Sequence, residues 1–173
     1  MLQESQLAVL DGLLEAFETS QTASSDGGDP TKSLLCAEVL KVARFVLFDH
    51  GKLVDSAVEL IDEQKANGTP IKCYLSSTGQ QPPRKCWRVP GSEKGTEYTC
   101  LLHFCPCQSF CEMSKAASPD RAVHCKHLIA VRIATALSLV NYQVSQDENS
   151  FVAKYIEQPT SSNMGRGGWR INW

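Results

Sequence analysis

The sequence predicts an α+β fold, in which helices pack with a three-stranded antiparallel meander. Three observations carry that expectation. Before residue 68, apolar residues recur at helical spacing. Between residues 71 and 102, three short runs of strand-forming residues alternate with segments rich in Gly, Pro and Ser. An apolar stretch beginning at Leu128 is long enough for one further helix.

In chain order, Leu7, Leu10, Leu14 and Phe17, with Leu13 beside them, predict a first helix. Thr19 to Pro30 is rich in Ser, Thr, Gly and Asp, so residues 1–31 read as a helix and a flexible linker. Residues 32–68 form a helical region. From Lys32 to Phe48 the apolar residues Leu34, Leu35, Val39, Leu40, Val42, Phe45, Val46, Leu47 and Phe48 cover nearly the whole helix circumference. Asp49-His50-Gly51 ends that helix. The next carries Leu53, Val54, Ala57, Val58 and Ile61 as one stripe and stops before Asn67-Gly68.

Residues 69–142 hold the meander and a cysteine-rich segment beyond it. Strands are expected at Ile71–Leu75, Lys85–Val89 and Glu97–Leu102, separated by Ser76–Pro83 and Pro90–Thr96. A short helix fits Ser109–Lys115, and a longer one Lys126–Val140, apolar except for a stripe of Arg132, Thr135 and Ser138. In residues 143–158, Ser145 and Glu148 have capping-box spacing ahead of Phe151, Val152, Tyr155 and Ile156, which predicts a last amphipathic helix. The tail, 159–173, is Gly-, Ser- and Asn-rich around Trp169 and Trp173 and is expected to be disordered.

At 173 residues, 42% hydrophobic and 21% charged, the chain has the size and composition of one ordinary globular domain. The start, with Gln3 and Glu4, lacks the basic segment of a signal peptide. The stretch Leu128–Val140 is too short to span a bilayer and carries Arg132, so no membrane span is expected. The net charge of −2 matters more. A stand-alone DNA-binding domain draws most of its affinity from neutralising phosphates and is usually strongly basic. Any DNA contact by this chain is therefore local, weak or shared with a partner.

Eight cysteines would suit a disulfide framework in a secreted protein. Their spacing points elsewhere. Cys105-Pro106-Cys107 is followed, after seventeen intervening residues, by Cys125-Lys126-His127. In an extended segment, residues two apart share a face, so Cys105 and Cys107 can reach one metal across Pro106. On a helix, Cys125 and His127 would point about 200° apart, so Cys125 must precede the helix and His127 must sit in its first turn. Three sulfurs and one imidazole close a tetrahedron around a structural zinc ion with no position left open for water. Three thiolates on a divalent ion leave a net charge of about −1, which Lys126 and the amides at the helix start are placed to stabilise. Cys111, His103 and His124 are nearby alternatives, but the primary set is complete without them. Cys36, Cys73, Cys86 and Cys100 sit among apolar or strand residues and read as small core side chains.

This C-x-C…C-x-H arrangement resembles the SWIM zinc finger. The strand Glu97-Tyr98-Thr99-Cys100 and the run Cys125 to Val131 are similar to one branch of that group, the small SWIM-domain proteins of the Shu complex in homologous recombination. Upstream, Val46-Leu47-Phe48 and Ala57-Val58-Glu59-Leu60-Ile61-Asp62 extend the resemblance, which covers residues 32 to 158. The resemblance implies a non-enzymatic nuclear subunit, in a constitutive heterodimer with a RecA-like recombinase paralogue. Such a complex helps recombinase filaments assemble on single-stranded DNA during double-strand break repair and meiosis. Two other readings of a SWIM protein stay open: direct binding of duplex DNA, as in transposase-derived or transcription-associated members, and a ubiquitin-ligase adaptor. The net charge weighs against the first, and the lack of a second Cys/His set against the second.

Catalytic motifs are missing. His103 precedes Cys105 by two residues without the Glu a zinc deaminase needs, and there is no His-Glu-x-x-His, P-loop or nucleophile elbow. No enzyme activity and no small-molecule substrate are expected. Arg84, Lys85 and Arg88 on the second strand, and Lys115, Arg121, Lys126 and Arg132 around the finger, are the candidate phosphate contacts; scattered charges of this kind are more often a solvated face. The surplus apolar circumference of the Lys32–Phe48 helix places the partner surface there, at Leu40, Phe45, Leu47 or Phe48.

Overall fold

A computed structural model describes residues 8–13, 15–16, 37, 40–45, 51–76, 84–91, 95–117, 123–145 and 151. The Thr19–Pro30 linker, Leu47 and Phe48, the last helix beyond Phe151, and the tail lie outside the described residues.

Helix α1 spans Gly51–Ala66 and buries Val54, Ala57, Leu60, Ile61 and Gln64. Its stop is built by Gly68, whose φ of 65° an L side chain adopts only at a cost. Thr69 N–H donates to Gln64 O at 3.0 Å and Gly68 N–H to Lys65 O at 3.3 Å, which satisfies two otherwise orphaned helix carbonyls.

Strands β1 (Lys72–Ser76), β2 (Lys85–Pro90) and β3 (Glu97–Cys100) form the antiparallel meander. A fourth strand, β4 (Asn141–Ser145), lies parallel to β1, so the sheet is mixed with order β3-β2-β1-β4. Cys73, Trp87 and Cys100 are cross-strand neighbours, and all three belong to the core. Cross-strand partners share a face, so register places Tyr142 and Val144 of β4 on the same face as Cys73 and Leu75. Both are exposed, at the rim of the sheet.

Helices α2 (Gln108–Ala116) and α3 (Lys126–Ala136) come after the meander. Helix α3 is buried on almost every side: Leu128, Ile129, Ala130 and Ile133 have no exposed surface. It packs against α1 and touches β2, which makes it the central helix.

The expected helix to Val140 ends four residues early, and the reason is local. Ser138 takes a left-handed φ of 54°, Leu139 N–H donates to Ala134 O at 2.8 Å, and Ser138 N–H to Thr135 O at 3.0 Å. This is the same helix stop as at Gly68, made by a residue that rarely makes it. The chain released there becomes β4.

Arg132 differs from its expected place on a polar stripe. Only 6% of it is exposed, and its Nε donates to Asp11 Oδ1 at 2.6 Å while Nη1 donates to Leu102 O at 3.1 Å. The helical segment around Leu10 and Asp11 is thereby clipped to α3 and to the turn ahead of the cysteine knuckle. Arg88, at 8% exposure, is likewise buried, 3.8 Å from Glu97. Neither arginine is open to a phosphate. Among the described residues, no helix is long and apolar enough to cross a membrane.

Candidate metal centre

Leu101 and Phe104 pair across a tight turn, with Leu101 N–H donating to Phe104 O at 2.8 Å. The turn reverses the chain after β3 and leads directly into Cys105-Pro106-Cys107. The strand expected to continue to Leu102 is thus cut short, because the knuckle needs the reversal. Cys107 is the residue before α2, and its Sγ accepts the Phe110 N–H at 3.4 Å. Phe110 is buried and meets Phe104 edge-on at 5.5 Å, which fixes α2 under the knuckle.

On the other side, Cys125 precedes α3 in extended conformation (φ −105°, ψ 170°), and His127 stands in the helix's first turn. That is the geometry the two-residue spacing requires. The ligand atoms of Cys105, Cys107, Cys125 and His127 all lie within 4.8 Å of one another, and all four residues are buried. His127 Nδ1 is 3.8 Å from the sulfurs of both Cys105 and Cys125. A tetrahedral zinc with Zn–S of about 2.3 Å and Zn–N of about 2.0 Å sets its donors roughly 3.5–3.8 Å apart. The spacing fits an ion of that size.

The protons of the cluster tell the same. Cys107 is pushed far below the ordinary thiol value, first by hydrogen bonding from Cys105 and then from Cys125. Cys105 is pushed up, first by Cys100 and then by Cys107, and Cys125 is pushed up by Cys105 and Cys107. Three thiolates this close repel one another unless a cation lies between them. A divalent ion does that, so Cys105, Cys107, Cys125 and His127 would hold it with three thiolates and one imidazole. Tyr98 lies against the His127 ring at 4.7 Å and fixes its orientation.

Zinc finger SWIM domain-containing protein 7 of Danio rerio is 29% identical to this chain over 113 residues, covering 64% of this chain and 70% of that protein. The chain is homologous to a SWIM zinc-finger protein. No family model matches it, and no solved structure does. The SWIM relative and this donor set together point to zinc as the metal.

The neighbouring candidates fall outside the set. His103 is exposed, Cys111 is half-buried, and His124 is buried but is not among the four clustered donors. Cys73, Cys86 and Cys100 are fully buried, as expected of core thiols, whereas Cys36 lies outside the described residues. The spacing did not disclose that Cys100, at the end of β3, touches the knuckle through Cys105. Its position five residues before Cys105 was the one available signal. The Asp11–Arg132 clip had none.

Proposed function

We propose that this SWIM protein is a non-enzymatic, nuclear subunit of a Shu-like complex, which promotes assembly or stability of RecA-like recombinase filaments in homologous recombination and DNA repair. The observation that carries the reading is the closed, fully buried Cys105–Cys107–Cys125–His127 site on the first turn of the central helix. A four-ligand zinc holds structure and leaves no position for a reacting water, so the finger's work is to present a surface. The resemblance over residues 32 to 158 supports the recombination branch, and the net charge of −2 supports a subunit that meets single-stranded DNA within a complex.

The partner surface is assigned to the helical segment at 40–45. Phe45 is 83% exposed, whereas Leu40 packs partly against the core, so Phe45 is the anchor for the RecA-like partner. The test is capture from nuclear extract, then mass spectrometry, with Phe45→Glu beside the parent chain. A recombinase paralogue held by the parent and lost by the variant, at unchanged zinc content, is the expected result. Capture of a ubiquitin-ligase core by the parent would replace this reading. So would tight binding of duplex DNA by the isolated chain at physiological salt.

A further inference from the structure

Leu101 and Phe104 exchange both backbone bonds, N–H to O at 2.8 Å and 3.4 Å, across the tip formed by Leu102 and His103. One step outward, the antiparallel partners are Cys100 and Cys105, at a position where no backbone bonds run between the two residues. Partners of that kind point to one face with Cα atoms about 4.5 Å apart, inside the range of about 4.4–6.8 Å that a disulfide spans. The side chains agree with the register, since the Cys100 thiol is hydrogen-bonded to that of Cys105.

The two thiols differ in what holds them. Cys105 is one of the four clustered donors and Cys100 is not. With zinc in place, Cys107 and Cys125 are committed to the metal, whereas Cys100 stays free to react beside a zinc-bound thiolate. Both Cys100 and Cys105 are fully buried, so a reaction between them and a solute waits on opening of the turn. That opening breaks few contacts. Two backbone bonds close the turn, Leu102 and Phe104 are 50% and 39% exposed, and Pro106 has no N–H to extend the ladder.

We propose that Cys100 is the resolving thiol of a peroxide-sensitive switch, which forms a disulfide with Cys105 and so withdraws one ligand from the finger. The Cys105 thiolate attacks hydrogen peroxide, the O–O bond breaks, and a sulfenic acid forms as hydroxide leaves. The Cys100 sulfur then attacks that of Cys105, and the S–O bond breaks as the S–S bond forms. The Cys100 proton leaves with the hydroxyl as water. The two sulfurs lose two electrons, and the peroxide gains them as it is reduced to hydroxide and water. Cys107, Cys125 and His127 are then too few to close a tetrahedron, and the grip on zinc is lost. Because the new bond joins residues already paired across the turn, it leaves β3 beside the knuckle, and a thiol reductant restores the fourth ligand.

The test treats the zinc-loaded full chain with a stoichiometric amount of hydrogen peroxide. The readouts are zinc released to a coloured chelator and disulfide mapping by mass spectrometry. Chymotrypsin serves for the digestion because it cuts at Leu102 and Phe104, between the two cysteines. Cys100 joined to Cys105 should be the main disulfide, formed in step with zinc release, and a thiol reductant with added zinc should restore the starting protein. Cys100→Ser retains all four ligands and should load zinc as the parent does. It lacks the resolving sulfur, so its sulfenic acid goes on to sulfinic acid, and zinc binding recovered after reductant should fall at least about threefold. Disulfides that join the ligands to one another, Cys107 to Cys125 for example, overturn the proposal. So does treatment that forms no disulfide, or a variant that recovers as fully as the parent. Where the variant loads no zinc, the parent's disulfide map decides alone: Cys100 to Cys105 supports the switch, and any other main linkage overturns it.

Discussion

Removing the Asp11 carboxylate isolates one structural term. Arg132 is 5% exposed at its side chain and bonds Asp11 through Nε at 2.6 Å and Nη2 at 3.5 Å. Asp11→Ala leaves a guanidinium buried against α3 whose remaining partner among the described residues is the Leu102 carbonyl. Stranding a fully buried charge costs about 3–5 kcal/mol. The Asp11 side chain is 44% exposed, so water reaches the vacated position and the Leu102 bond persists. The loss should therefore fall to about 2–3 kcal/mol, or roughly 5–10 °C in thermal midpoint for a chain of this size. Circular dichroism melts of the zinc-loaded protein measure it, and the shift should survive high salt because the guanidinium is shielded from solvent. Replacing both residues, Asp11→Ala with Arg132→Met, should recover most of the loss, since no charge is then left stranded. A single-variant shift below about 2 °C would refute the reasoning, as would a double variant no better than the single.

Cys125→Ser should bring the zinc content from one ion per chain to none by elemental analysis, with a lower thermal midpoint. The loss should be smaller than the roughly 10 kcal/mol of folds that depend wholly on metal, because α3 retains its packing on α1. Ser138→Gly should stabilise by about 0.5–1 kcal/mol in denaturant melts, since glycine accepts the 54° φ without the penalty a side chain incurs there. Burial pushes the Cys73 thiol up to about 12 and Cys86 up to about 11. Both should resist alkylation in the native protein at pH 8 while half-buried Cys111 reacts first. These raised values also set a sign for stability. The native state keeps protons that the unfolded state loses above about pH 9, so stability holds below that and falls as pH rises toward 12.

Much of the architecture was legible because the chain is punctuated by residues that make turns. Asn67-Gly68 closes α1, and the Ser- and Pro-rich segments bound β1, β2 and β3, so each element stood apart in the sequence. The paired ligands could be read because their spacing constrains the backbone on both sides of the metal. β4 was hidden for the opposite reason. Tyr142 and Val144 alternate with polar residues as a strand should, but they come after an apolar run that helical periodicity absorbs. The stop between them depends on a serine in a conformation normally left to glycine. Arg132 was hidden because its partner is 121 residues away in sequence, and polarity on a helix face ordinarily means water.

The pairing of β1 with β4 bears on the order in which the chain assembles. Lys72 pairs with Asn141 across sixty-nine residues, a loop that holds the rest of the meander and the whole finger. Contacts of long sequence separation are slow to form because the intervening loop must close first. The hairpins and the zinc knuckle close over much shorter spans. A nascent chain can thus load its metal while β4 is still loose, and the last strand then seals a finger that is already made.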